Sequence, residues 1–220
     1  MDAVQPKVTI QDARYGVRLD YIIFPIDFRD LRRALAKNGY ELSHVANVPP
    51  PPTRVRFGGE IGRKGETAVE VESDSGDIWV VGRSLQEAQS SFEELAKIVD
   101  SEIGVLLHDN VKFYWATGHY RIATGKAPHS EIARVENKEY VNQSSKIIGQ
   151  DLCSFSIRLG SKNATPNDAT WTDIAIEPDT IDERLYHVGV VFRNPNKEMA
   201  ETFVKDLENR LLRLIKVIEA

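Results

Sequence analysis

Cysteine is almost absent from this chain. Of 220 residues only Cys153 carries a thiol, which excludes an intramolecular disulfide and a thiolate metal cluster and fits a reducing, cytoplasmic compartment. Long apolar runs are missing too. No stretch approaches the ~18 apolar residues a membrane span needs, and Met1–Pro6 has neither an apolar run nor a basic leader, so no signal peptide is expected. Positive charge is not in excess: the formal net charge is -5, so no global basic field gathers nucleic acid or acidic membrane. Histidine is sparse and unpatterned. His44, His108, His119, His129 and His187 form no His-x-x-x-His or His-Glu-x-x-His spacing, so a helix-borne metal site is unsupported. No metal and no cofactor are expected.

What is present is a repeated order of elements. Residues 1–14 read as a polar, irregular lead-in. Val17 to Ile26 reads as a strand with Val17, Leu19, Tyr21 and Ile23 on one face. Asp27 caps a short helix carrying Phe28, Leu31 and Leu35, and Asn38-Gly39 stops it. Pro49 to Pro52 cannot be helix and reads as a rigid spacer. Three strands follow, over Thr53 to Ile61, Glu66 to Ser73 and Ile78 to Val81, with short turns suited to an antiparallel meander. Gly58-Gly59 marks either a bulge or a close approach to the backbone. Ser84-Leu85-Gln86-Glu87 is a capping box opening a long helix with Ala88, Phe92, Leu95, Ala96 and Val99 on one stripe.

The order then returns. Val111 to Ala123 reads as a long strand and Asn137 to Ile148 as a helix ending at Gly149. Leu152 to Leu159 alternates, with Cys153, Phe155, Ile157 and Leu159 on one face. Thr170 to Glu177 and Arg184 to Arg193 complete a second meander. Asn194-Pro195 opens a final helix with Phe203, Val204, Leu207, Leu211 and Ile215 on its stripe. The expected fold is α+β: two tandem β-α-β-β-β-α units, over 15–108 and 109–220, whose antiparallel sheet is covered on one face by long helices.

The first unit resembles one repeat of the TATA-binding protein family. The matching residues are Arg56-Phe57, Ile61, Arg63, Thr67-Ala68, Ser75-Gly76 and Val80-Val81-Gly82, then Ser84 opening the long helix. The resemblance implies a tandem fold with helices on the convex side and a concave sheet face, which in that family binds the DNA minor groove with apolar wedges. Several features depart from it. Val190 to Asn194 stands where the glycine-containing motif should return, and no phenylalanine pair sits at matched places in the two units. Glu70 and Glu72 share one face of their strand, where carboxylates would repel phosphate.

These features fit three functions. A non-catalytic binding protein would use the sheet surface for a protein partner or for self-association, with Trp79, Trp115 and Trp171 as contact or core aromatics. A nucleic-acid binder would use Arg54, Arg56, Arg63, Lys64, Arg121 and Lys126. A small-molecule binder or enzyme would hold a pocket between sheet and helices at His119, His187 and Tyr120. The first is the leading expectation, and the charge on the helix-free face discriminates it from the second. His129 is a conceivable third ligand beside His119 and His187. Cys153 with a distant histidine would make a thiol nucleophile, but its place on the apolar face of a strand favours a buried, inert thiol.

Overall fold

The computed structural model describes residues 6–43 and 57–220. The proline run, His44, Arg54 and Arg56 lie outside the described residues. In chain order the elements are β1 (Lys7–Leu19), α1 (Phe28–Lys37), β2 (Glu41–Leu42), β3 (Gly58–Lys64), β4 (Thr67–Glu72), β5 (Asp77–Gly82) and α2 (Leu85–Ile103). There follow β6 (Val111–Ala123), α3 (Pro128–Arg134), α4 (Lys138–Ile148), β7 (Ile157–Gly160), β8 (Trp171–Pro178), β9 (Leu185–Asn194) and α5 (Lys197–Ile218). The strands form one antiparallel sheet in the order β2-β3-β4-β5-β1-β6-β9-β8-β7. The fold is α+β, as the alternation and capping signals predict.

Alternation divides the sheet into two faces. On β1, Ala13, Tyr15, Val17 and Leu19 are buried, while Arg14, Gly16 and Arg18 point the other way. The same holds for Ile78 and Val80 on β5, Tyr120 and Ile122 on β6, and Val188 and Val190 on β9. These residues join the stripes of α2 (Phe92, Leu95, Val99) and α5 (Val204, Leu207, Leu211) in one core. At ~25 cal/mol per Å² of apolar surface, this layer is the main source of stability. The long helices lie side by side on that face. Where they meet, Glu93 of α2 binds Lys197 of α5 at 2.9 Å and His108 at 3.1 Å, and His108 reaches the Tyr114 hydroxyl at 3.2 Å. Burial pushes the Tyr114 phenol up to about 12.

Helix ends follow local chemistry. Ser84 Oγ accepts from the Glu87 amide at 3.0 Å, and Glu87 reaches back to the Arg83 amide at 2.7 Å. Gly104 and Gly149 end α2 and α4 in the left-handed region. Helix α5 starts later than Asn194-Pro195 suggests. Its N-cap is Asn196, whose side chain accepts from the Met199 amide, while Asn194 supports the Asn196 amide from outside.

The strand limits differ from expectation in three places, each for a pairing reason. Strand β1 begins at Lys7, inside the expected irregular lead-in, because the 13-residue β6 supplies partners as far as Ala123 opposite Lys7. It ends at Leu19 rather than Ile26. There Gly76 and Asn110 make the last hydrogen bonds and the neighbouring chains turn away, leaving Tyr21, Ile22 and Ile23 exposed. Strand β7 holds only the end of the expected Leu152–Leu159 run. Ile157 faces Ile176, so the ladder ends as β8 reaches Pro178, which has no amide hydrogen to offer. Cys153 therefore lies on the surface and is not the buried thiol expected; its Sγ is 3.5 Å from His129 Nε2.

Candidate functional site

The face turned away from the helices carries the chemistry. Register builds a row across its middle: Glu70 faces Trp79, Trp79 faces Gly16, Gly16 faces Trp115, Trp115 faces Arg193, and Arg193 faces Trp171. All three tryptophans of the chain therefore stand on one line over one face. Gly16 makes this possible. A Cβ there would meet Ile78 O at 2.1 Å and Trp79 Cβ at 2.6 Å. With no side chain between them, the indoles of Trp79 and Trp115 meet edge to face at 5.1 Å. Glu70 accepts from Trp79 Nε1 at 2.6 Å.

Beside this row, the Phe113 ring has two guanidinium neighbours, Arg18 at 5.2 Å and Arg193 at 5.1 Å. Arg18 is also held by Asp77 through two hydrogen bonds. That pairing raises its pKa against the opposing effect of burial. Burial, with Arg18 nearby, lowers the pKa of Arg193, which donates to Pro166 O at 2.6 Å.

Further along β6 and β9 lie two histidines. His119 Nδ1 is 3.2 Å from His187 Nε2, and His187 Nδ1 is 3.0 Å from Glu177 Oε1. The rings are 12° from parallel with centroids 5.3 Å apart. At that separation, with the two nitrogens in contact, they meet edge to edge rather than face to face. His119 sits opposite Gly189 rather than opposite His187; the missing side chain gives its ring room to lean along the diagonal.

The other candidate residues are dispersed. Tyr120 follows His119 in β6 and so points into the core, 1% exposed; it shares no site with the histidines. The imidazoles of His119 and His187 stand on the face away from the helices, so they do not line a space between sheet and helices. A cavity of about 280 Å³ lies instead between β8, β9 and α5, lined by Ile174, Phe192, Phe203, Leu207 and Leu211 among others. His129 is with Cys153 on the surface, away from the pair.

Arg63 and Lys64 occupy opposite faces of β3, Arg63 held by Glu60 at 2.6 Å and Lys64 by Glu94 at 2.7 Å. Arg121 is bound to Asp179 at 2.7 Å. Lys126 donates to the carbonyl of Glu219, beyond the end of α5. The described members of the basic set are thus separate, and each is engaged. Glu70 and Glu72 stand on the helix-free face, and the Glu72 carboxylate closes over Gly58, where a Cβ would be 2.5 Å from its Oε2. The register shift of this strand lies between Glu60 and Gly62, past the glycine pair, so close approach and not a bulge applies at Gly58.

No protein-family model matches this chain, and no curated protein matches it.

Proposed function

We propose that this chain is a non-catalytic binding protein that holds a protein partner, or a second copy of itself, on the helix-free face of its sheet. The observation that carries the reading is the row Trp79–Gly16–Trp115–Arg193–Trp171 with Phe113 and Arg18 beside it. Tryptophan and arginine are the residue types that dominate binding energy at protein interfaces, because they bury large area around a fixed polar group. Here they are held by one another and by the sheet, so little side-chain freedom remains to be lost on binding.

Charge on the same face favours a protein over a polyphosphate. Arg14, Arg18, Arg63 and Arg158 each have a carboxylate within 3.5 Å, and Glu70, Glu72 and Glu177 add further acidic groups. A phosphate backbone would meet neutralised arginines and repelling carboxylates.

The test compares the wild type with the double variant Trp171→Ala/Arg193→Ala. Sedimentation velocity reads self-association, and affinity purification from the source cell reads partner capture. The reading expects an association that the double variant loses while its circular dichroism stays unchanged. A partner or oligomer retained in full by the variant overturns it. So does binding of mixed-sequence duplex DNA that weakens steeply with salt.

A further inference from the structure

We propose that His119 and His187 form a two-imidazole chelate for a divalent transition-metal ion on the helix-free face, with Glu177 as the carboxylate that orients one of them. This site is separate from the tryptophan row and does not depend on what that row binds.

Two nitrogens bound to one zinc ion at ~2.0–2.1 Å with a tetrahedral angle between them are about 3.3 Å apart. His119 Nδ1 and His187 Nε2 are 3.2 Å apart. A hydrogen bond between the two rings holds their nitrogens at this spacing without a metal, and the same spacing lets one ion bridge them.

The hydrogen-bond partners agree. Glu177 Oε1 accepts from His187 Nδ1 at 3.0 Å. That bond keeps the proton of neutral His187 on Nδ1 and leaves the Nε2 lone pair free, directed at His119. A carboxylate on the far nitrogen of a ligating imidazole is the usual outer partner of zinc-bound histidine, fixing tautomer and ring orientation. With Nδ1–H of a neutral His187 committed to Glu177, the facing nitrogens of a neutral pair share one proton, donated by His119 Nδ1 to His187 Nε2. An arriving ion displaces that proton and binds both nitrogens from one side of the line between them, and His119 keeps a neutral ring by carrying its proton on Nε2. Nothing is oxidised, and no net proton is released from the pair.

The scaffold also suits a ligand pair. The two rings stand on adjacent strands, β6 and β9, whose register is fixed by ten paired positions. His119 is exposed, so its ring can turn about the Cβ–Cγ bond to bring both lone pairs onto one point, and Gly189 leaves that point unobstructed. Among the described residues no group of three or more His, Cys, Asp or Glu side chains is placed to hold a metal. The remaining positions on the ion are therefore taken by water or by a group from a bound molecule. Imidazole donors select zinc, copper or nickel over magnesium or calcium.

The experiment is a titration of the full chain with Zn²⁺, read by calorimetry and by the ring ¹⁵N and ¹H resonances of its five histidines. The proposal expects one bound ion, with His119 and His187 shifting together. Binding should be lost in His119→Gln and His187→Ala, weakened about 10-fold in Glu177→Gln, and unchanged in His129→Ala or Cys153→Ser. His119→Gln alters an exposed position, so loss of binding there cannot be ascribed to unfolding. Failure of Zn²⁺ to bind the wild type overturns the proposal. So does binding that survives both substitutions of the pair, or that follows His129 and Cys153.

Discussion

At the scale of single residues, position across the sheet decides what a side chain can do, and that position is a property of register. The sequence shows His119 and His187 in strands but not that their nitrogens meet, because the meeting depends on which residue of β9 faces which residue of β6. The tryptophan row was hidden for the same reason: Trp79, Trp115 and Trp171 are far apart in sequence and align only through Gly16 and Arg193. Gly16→Ala tests the row directly. Its methyl would overlap the Ile78 carbonyl, where backbone must move, so a loss of about 1–3 kcal/mol is expected in urea unfolding, with a change in tryptophan emission.

Acid sensitivity is also set residue by residue. Burial alone would raise the pKa of Asp179, but the backbone amides of Asp182 and Ile181 and the Arg121 guanidinium outweigh it and hold the carboxyl below its usual range. Arg184 likewise holds Asp182 at about 2, and Arg158 lowers Asp173. Such groups bind fewer protons folded than unfolded. Their stabilisation is complete above the ordinary carboxylate pKa of ~4 and is lost as pH falls towards 2. Asp179→Asn should therefore be less stable at neutral pH and lose less between pH 5 and pH 2. A stability curve parallel to wild type in that window would refute the assignment.

At the scale of elements, what the sequence showed best was what local chemistry controls. Alternation placed most strands, and the Ser84–Glu87 box placed α2. What it missed depended on distant partners: β6 extends β1 back to Lys7, and Pro178 shortens β7 and leaves Cys153 outside. Helix α4 shows the difference between forming an element and packing it. Asn137 and Gly149 delimit it as expected, yet only Val141 is buried, and Tyr140, Ile147 and Ile148 are exposed. The same cap removal should therefore act unequally. Ser84→Ala should cost about 1 kcal/mol of global stability, because α2 buries seven residues. Asn137→Ala should leave the global midpoint nearly unchanged and instead speed amide exchange within α4. Equal shifts in both variants would mean that α4 is coupled to the core more tightly than its exposure suggests.

At the scale of the whole molecule, the sheet is continuous because β1 is hydrogen-bonded on one side to β5 and on the other to β6. Each half contributes one long central strand, and neither half completes its own sheet. A protease site inserted after Gly104, in the connection between α2 and β6, should give two fragments that remain together through gel filtration after cleavage. Each fragment alone, with a 13-residue strand edge uncovered, should aggregate. Separation of the cut fragments into soluble monomers would show that the seam contributes little.

The same seam imposes an order in time. A ribosome delivers β1 first, and β5 can join it soon afterwards, but its other edge has no native neighbour until β6 has been made. Lys7 waits for Ala123. For that interval the nascent chain presents an uncovered strand whose outward residues include Arg14 and Arg18. Charges on such an edge discourage a neighbouring chain from pairing with it. Arg18, which lies against Phe113 in the finished protein, therefore also guards the half-made one.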